Sequence, residues 1–356
     1  MRSSLRNFFQ NAPLIFLGAF FLFSSCKESE STEPPKAEAE EQTPNLLRQA
    51  AIADSVEPAP RPADSAKVPE APQELKEEVP APTGTRFLSY NIKNYLTMTR
   101  YVKGGGKTES SKPEEEIEAL VKIIVSENPE VLGICEIGSK DDLLDFQSRL
   151  KKAGLDLPHY EHAGGADPTR RLGLLSSLPI VARNSQDTLP YKLDGNERFM
   201  SRGILDVTVE LPTGPTHFIG VHLKSKREIP DADQSLMRLN EAQLLRKHCD
   251  AIIEKNADAR LIVYGDMNET KGEAPIKALR GNTRSSGFLD DVWAKDERRE
   301  SWTHFWKYQD QYARFDYVFF SRAMKSEMDF RNCYIVDPID FYDASDHRAI
   351  MVVIGR

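Results

Sequence analysis

At 356 residues with a formal net charge of −8, the chain is long enough for one large domain or two. The acidity is uneven: residues 27–84 carry 6 Lys and Arg against 13 Asp and Glu, which leaves the rest near neutral. That balance argues against tight, non-specific binding to nucleic acid by charge alone.

The N-terminus opens on Met1-Arg2-Ser3-Ser4-Leu5-Arg6, and an apolar run follows from Leu14 to Phe23. The run has about the length of a signal-peptide core and falls short of the roughly 20 residues of a membrane helix. It closes on Phe23-Ser24-Ser25-Cys26. Small residues before a cysteine resemble the lipobox of bacterial lipoproteins, with Phe23 where leucine is usual. An ordinary secretory signal with a chance cysteine is the other reading. The lipoprotein reading implies a lipid on Cys26, anchoring to a membrane, and a periplasmic or cell-surface location. Residues 27–84 are rich in Pro, Ala and Glu and cannot bury enough apolar surface to offset chain entropy, so they read as a disordered tether. The folded part is expected at 85–356, as one monomeric domain.

Within it, Thr85 to Ile92 reads as a strand carrying Asn91 at its end. A loop with Gly104-Gly105-Gly106 follows. Ser111 and Glu114 have capping-box spacing, and Pro113 suits a first helical turn. Ile117, Leu120, Val121 and Ile124 give that helix its apolar face. The next strand, Val131 to Cys135, ends at Glu136; a helix over about 140–153 comes after it. His159 and His162 fall in an expected loop. Short strands are expected at 172–176, 180–182 and 203–211. His217 to Val221 is a buried strand with His222 at its tip, followed by Lys224-Ser225-Lys226-Arg227. A helix over about 233–254 presents Leu239, Ala242, Leu245, Cys249 and Ile252. Leu261-Ile262-Val263 then leads into Tyr264-Gly265-Asp266-Met267-Asn268, where Gly265 lets the backbone turn. Strands around Asp316 and over 349–354 finish the chain, the latter preceded by Ser345-Asp346-His347. Strands and helices alternate only in part, which implies mixed sheets. Cys135, Cys249 and Cys333 lack metal-ligand spacing and are expected as buried thiols, with a Cys249–Cys333 disulfide left open.

Six strand ends or loops therefore deliver polar groups: Asn91, Glu136, His222, Asp266 with Asn268, Asp316, and Asp346 with His347. Rigid strand ends are where an α/β protein builds a site. The ordered motifs Tyr90-Asn91-Ile92, Cys135-Glu136, His222-Leu223-Lys224-Ser225-Lys226, Gly265-Asp266-Met267-Asn268, Arg314-Phe315-Asp316-Tyr317 and Ser345-Asp346-His347-Arg348 resemble the endonuclease/exonuclease/phosphatase superfamily. That superfamily includes deoxyribonuclease I, abasic-site endonucleases and sphingomyelinases. The resemblance covers essentially 85–356. It implies an α/β (α+β) fold: a four-layer sandwich of two mixed β-sheets packed face to face, with helices outside.

Phosphate-ester hydrolysis needs charge neutralised on the phosphoryl oxygens, an activated water and help for the leaving oxygen. Glu136 is the leading ligand for Mg²⁺ (Mn²⁺ being possible), with Asn91 as an oxygen ligand or a partner behind it. Asp346 is expected either to bind metal or to orient His347. Asp316 and His347 are expected to pair, the carboxylate fixing the tautomer and raising the imidazole pKa. A bland alternative has Asp316 bridged to Arg314 or Arg348. Asp266 is expected to orient or deprotonate the attacking water, and Asn268 to donate to the phosphoryl oxygen. His222 is placed near the leaving group by the resemblance. Lys224, Lys226 and Arg202 are expected phosphate contacts, and Tyr101 is one candidate for the tyrosine that relatives hold near the phosphate. Core packing is the default for the aromatic segment Trp302-Thr303-His304-Phe305-Trp306, although the resemblance also implies that the segment before the Arg-x-Asp-Tyr motif often borders the pocket. The activity implied is phosphodiester hydrolysis, first as a nuclease acting on nucleic acid. A phosphatase or a phospholipid (sphingomyelinase-like) phosphodiesterase is the alternative, and a non-catalytic binding module a further one.

Overall fold

The computed structural model describes residues 83–102 and 106–355. The expected signal peptide with Cys26, the tether up to residue 82, and Gly104-Gly105 lie outside the described residues. Among the described residues, no helix is long and apolar enough to cross a membrane.

Two six-stranded mixed sheets form the centre. The first has the order Tyr334–Ile335, Ile350–Ile354, Thr85–Tyr95, Val131–Ile137, Arg171–Ser176, His159–Ala163. The second has the order Asp290–Asp291, Asp316–Phe320, Leu261–Asp266, Gly214–His222, Leu205–Leu211, Ile180–Arg183. Each sheet contains one parallel pair: Thr85–Tyr95 beside Val131–Ile137, and Gly214–His222 beside Leu261–Asp266. A parallel pair needs a crossover. Helix α1 (Glu114–Glu127) makes the first, and helix α3 (Gln234–Lys255) the second, after α2 (Lys140–Lys152). The remaining helices are α4 (Ala274–Arg280) and α5 (Phe341–Ala344).

The layers follow from which face of each strand is apolar. Phe87, Val131 and Leu174 of the first sheet meet Phe218, Ile262 and Val318 of the second in one buried cluster. On the outside, Leu132 and Ile134 pack with Ile117, Leu120 and Phe146 of α1 and α2. Ile219 and Val263 pack with Leu245, Cys249 and Ile276 of α3 and α4. This is the expected four-layer sandwich. Tyr264 fills the space between the sheets, its ring 4.9 Å from that of Phe87. Gly133 makes room for it: a Cβ there would lie 2.2 Å from the Tyr264 ring. Gly265 has φ +127°, and a Cβ would lie 2.0 Å from the Val221 carbonyl oxygen, so only glycine fits this turn.

Several local expectations change. Pro113 takes the N-cap of α1 and no side chain caps it, so the Ser111–Glu114 box is absent. The capping box belongs instead to α2, from Ser139 to Asp142. On α3 the buried stripe runs through Met237, Arg238, Glu241, Ala242, Leu245, Cys249 and Ile253. It is rotated from the expected one because two charged residues are drawn inward. His159 and His162 sit on a strand, with His162 Nε2 2.9 Å from the Gly138 carbonyl oxygen. Cys135, Cys249 and Cys333 are buried free thiols, and Cys249 and Cys333 belong to different core clusters.

Candidate active site

The two crossovers place the ends of both parallel pairs at one rim. In register, His222 lies opposite Asp266, and Asp266 opposite Asp316 on the other side. Across the sandwich, Asn91 and Glu136 end the parallel pair of the first sheet. Pairing slips at Glu136 on both sides. Glu136 itself has φ +68°. A bulge of this kind re-aims a side chain, and here it turns a carboxylate toward the second sheet. Lys93, Asn94 and Asn268 also have positive φ, so unusual backbone concentrates at this rim.

The side chains converge. Asn91 Nδ2 donates to Asp266 Oδ2 at 3.1 Å and to Glu136 Oε1 at 3.4 Å. His222 Nε2 is 3.5 Å from Asp266 Oδ2 and 3.9 Å from Glu136 Oε1. His347 Nε2 is 3.8 Å from Asp266 Oδ2, while its Nδ1 is 2.7 Å from Asp316 Oδ2. Asp316 therefore takes the histidine, and Arg314 goes to Asp291 and Arg348 to Asp296. The backbone N–H of Asn94 donates to Glu136 Oε2 at 2.9 Å. The hydroxyl of Ser345 donates to the Asn91 carbonyl at 2.8 Å, and Ser345 Oγ accepts from the His347 N–H. Thr303 Oγ1 accepts from the backbone of Phe315 and Asp316.

Burial makes these charges matter. Asp266 is 2% exposed; burial first, then Asp316 and Glu136, push its carboxyl up to about 7 against the pull of His347. For His347, burial opposes the imidazolium, but Asp316, Asp266 and Asp346 outweigh it and raise it to about 10. His222 goes the other way: burial, then Arg202 and His347, hold it well below the usual range. Its Nδ1 is buried without a hydrogen-bond partner. One imidazole is thus held as a cation and the other neutral, a division that suits acid–base chemistry at one centre.

Two expected residues, Asn268 and Asn91, are engaged by their neighbours. Asn268 is 9% exposed, and its amide donates to the Leu223 carbonyl at 3.0 Å and to Asp266 at 3.3 Å. It braces Asp266, with its backbone N–H on Asp266 Oδ1 at 2.8 Å. Asn91 turns its amide nitrogen, not its oxygen, to the carboxylates; Oδ1 accepts from the Lys93 N–H. In this arrangement it is a partner of the carboxylates. Asp346 is half-buried and adjoins His347 without bonding its ring. Tyr101 is 80% exposed on the Met98–Val102 strand.

Around the centre, Lys226 binds Glu269 at 2.5 Å and Arg238 binds the same carboxylate at 2.8 Å. The backbone N–H groups of Lys224 and Ser201 donate to the buried Glu241. Arg202 is 7% exposed and pairs with Asp167 at 3.2 Å. Its Nε and Nη1 have no partner. A cavity of about 460 Å³ borders Arg202, Arg198, Ser201 and Lys224. Of the expected phosphate contacts, Arg202 and Lys224 line this cavity, Arg202 from a buried position and Lys224 with its ammonium near the Ser225 and Arg227 carbonyls, whereas Lys226 is paired with Glu269. Sequence reasoning missed Glu241, Glu269, Ser345 and Thr303, which hold the loops. It gave His304 no role, yet its ring lies 4.6 Å from that of His347.

Facing mixed sheets with a carboxylate–imidazole cluster at one rim define the deoxyribonuclease I-like class of sandwich. A family profile described as Endonuclease/Exonuclease/phosphatase family matches residues 96–343, and the chain belongs to that family. Its enzymes generally hydrolyse phosphoester bonds and typically use divalent metals. No curated protein sequence gave a significant match. Among solved structures, beta toxin from Staphylococcus aureus is 16% identical, with a TM-score of 0.53, covering 76% of this chain and 99% of that one. TDP2 from D. rerio, complexed with single strand DNA product, is 17% identical, with a TM-score of 0.53, covering 77% and 100%. The human nocturnin catalytic domain, with bound sulfate anion, is 17% identical, with a TM-score of 0.51, covering 76% and 93%. These likenesses concern the fold.

Proposed function

We propose that this chain is a Mg²⁺-dependent phosphodiesterase, first of all a nuclease. The observation that carries it is the contact of Asp266 with Asn91, His222 and His347 while Asp316 grips the other side of His347. Among the described residues, no group of three or more His, Cys, Asp and Glu forms a ready metal cage. Mg²⁺ does not require one: it takes one or two carboxylates, waters and phosphate oxygens. The donor set fits a hard cation, being carboxylate oxygen at the mouth with amide and imidazole behind. Glu136 is the principal holder and Asp346 the second. When bound, the ion supplies positive charge to the phosphoryl oxygens.

The chain's own residues do the rest. Asp266 accepts the proton of the attacking water, its raised pKa placing it near the working range of a general base. His347, held cationic by Asp316, donates to a non-bridging oxygen. Neutral His222 sits across Asp266 and offers its N–H as a hydrogen bond to the leaving oxygen, which takes its proton from solvent water. Arg202 and Lys224 take the anionic chain beside the scissile bond. The nuclease reading is further supported by the likeness to D. rerio TDP2 complexed with single strand DNA product. We also propose that Cys26 carries a lipid, which ties the domain to a membrane as a periplasmic or surface protein. Radiolabelled palmitate incorporation that persists in a Cys26→Ser variant contradicts that anchor.

A substrate panel tests the activity. The full chain with Mg²⁺ is offered plasmid DNA, RNA, inositol phosphates, sphingomyelin and bis-p-nitrophenyl phosphate. Cleavage of nucleic acid that EDTA stops is expected. Cleavage of phosphomonoesters only removes the diesterase reading, and cleavage of nothing returns the scaffold to a binding role.

A further inference from the structure

The cavity of about 460 Å³ beside the rim is lined by Ser201, Arg202, Lys224 and, from α3, Met237. Arg202 and Lys224 come from different segments of the chain and act on the same centre. After burial, Arg202 is the largest influence holding His222 below its usual range, and Lys224 adds to it. Burial and then Arg202 also lower the Lys224 ammonium. Two like charges gathered in this way call for an anion, and the buried Nε and Nη1 of Arg202 have no partner.

Glu241 fixes the segments that carry them. It lies one turn beyond Met237 on α3 and is 0% exposed. Its Oε1 accepts from the Ser201 N–H at 2.9 Å and from the Ser201 hydroxyl at 2.7 Å, and its Oε2 accepts from the Lys224 N–H at 2.6 Å. A buried charge is normally met by a cation; this one is met by three neutral donors from two loops. Arg238, on the same face of α3, donates from Nη1 to the Lys224 carbonyl at 3.0 Å. Asp167 completes the hold on Arg202: its N–H donates to the Ser201 carbonyl at 2.6 Å, and its carboxylate pairs with the guanidinium at 3.2 Å.

We infer that Glu241 is a positioning residue, which sets Arg202 and Lys224 together to receive a second phosphate of the substrate, next to the one being cut. The inference rests on the phosphodiesterase reading above. Both segments send their N–H groups to one carboxylate, so the spacing of the two cations follows the spacing of its oxygens. A glutamine has one acceptor oxygen and presents N–H groups on the other side, so either Ser201 or Lys224 would then face a donor. The consequence depends on the substrate. An oligonucleotide carries flanking phosphates that use the paired cations, whereas bis-p-nitrophenyl phosphate has none.

The test measures kcat and KM of the full chain with Mg²⁺ on a labelled oligonucleotide and on bis-p-nitrophenyl phosphate. It compares wild type, Glu241→Gln, Arg202→Ala/Lys224→Ala and the triple variant. Glu241→Gln is expected to lower kcat/KM on the oligonucleotide about tenfold more than on the small diester, with the difference falling in KM. The salt dependence of the oligonucleotide KM is expected to flatten as a phosphate contact is lost. Because Glu241 acts through the two cations, adding Glu241→Gln to Arg202→Ala/Lys224→Ala is expected to cost less than about threefold more. Equal losses on both substrates, no loss on either, or a loss undiminished without the cations overturns the inference. Should Glu241→Gln fail to fold by circular dichroism, Ser201→Ala decides the question. It removes only the hydroxyl bond to the carboxylate and is expected to move the same substrate ratio by about threefold; an unmoved ratio overturns the inference. If Arg202→Ala/Lys224→Ala raises the oligonucleotide KM and Glu241→Gln does not, the positioning role falls alone. If the cation variant keeps the wild-type KM, or the wild type cleaves no diester, the reading of the site falls with it.

Discussion

On the outer face of the second sheet, Asp206 lies between His217 and His248; at the rim, Asp266 lies between His222 and His347. Both carboxylates are almost fully buried, at 0% and 2% exposure. Around Asp206 each oxygen meets an imidazole nitrogen, His217 Nδ1 at 3.0 Å and His248 Nε2 at 2.9 Å. Burial pushes its carboxyl up, but the two histidines outweigh it and hold it below the usual range. Around Asp266 the imidazole nitrogens stand off at 3.5 and 3.8 Å, two more carboxylates crowd it, and its carboxyl is pushed up. The same residue types thus make a structural tie whose imidazoles close on the carboxylate, fastening α3 to the sheet, and a centre whose imidazoles stand off from a carboxylate held by amides. The difference lies in whether the hydrogen bonds are closed, and it predicts which cluster carries turnover and which carries stability.

The largest effects separate the two in activity. Asp266→Ala or His347→Ala is expected to lower kcat/KM by about 10⁴-fold or more, as loss of a central catalytic group does, with an unchanged circular dichroism spectrum. His248→Ala is expected to leave kcat/KM within about threefold, since it touches no reacting group. Activity loss in His248→Ala matching that of His347→Ala breaks the comparison.

Stability should separate them in the opposite sense. Asp206→Asn leaves one imidazole N–H facing an amide in a dry site, at a cost of about 2–4 kcal/mol in urea unfolding. Asp266→Asn removes a crowded charge and is expected to stabilise the metal-free protein at pH 8 by about 1–2 kcal/mol. Destabilisation by Asp266→Asn in EDTA contradicts the assigned tension.

The smallest effects are in pH dependence. Asp266 in the folded state keeps its proton up to about 7 against an ordinary 3.8. Metal-free stability therefore falls as pH rises across that interval. His347, raised from 6.5 to about 10, contributes stability that is full below about 6.5 and lost as pH climbs through its folded value. Asp206, depressed, contributes stability present above an ordinary 3.8 and lost as pH falls through its lower folded value. Unfolding in EDTA across pH should show a neutral limb that Asp266→Asn flattens and an acid limb that Asp206→Asn flattens.

Much of the architecture is legible in the chain because its signal is local. Apolar runs that end in Asn91, Glu136, His222, Asp266 and Asp316 mark buried strands with polar tips, and two of the intervening helices are crossovers. What was illegible depends on contacts far apart in sequence. The inward turn of Arg238 and Glu241 on α3 answers to Glu269 and to the backbone of Ser201 and Lys224, which no helical period encodes. The orientation of the Asn91 amide is set by Glu136, Asp266 and His347, all far from it in sequence. Asn268 looks free in Gly265-Asp266-Met267-Asn268 until Leu223 is brought beside it. The 304–313 hairpin has strands of three residues, too short for alternation to separate core from surface, so its exposed rings read as packing.

The most direct test of the central assignment is hydrolysis of bis-p-nitrophenyl phosphate by the EDTA-stripped full chain, with Mg²⁺ added back in steps, in wild type and in Glu136→Gln. We expect turnover to be absent in EDTA and restored saturably by Mg²⁺ in the wild type, with restoration in the variant needing at least about tenfold more metal. Turnover that persists in EDTA, or equal Mg²⁺ dependence in both proteins, contradicts the account.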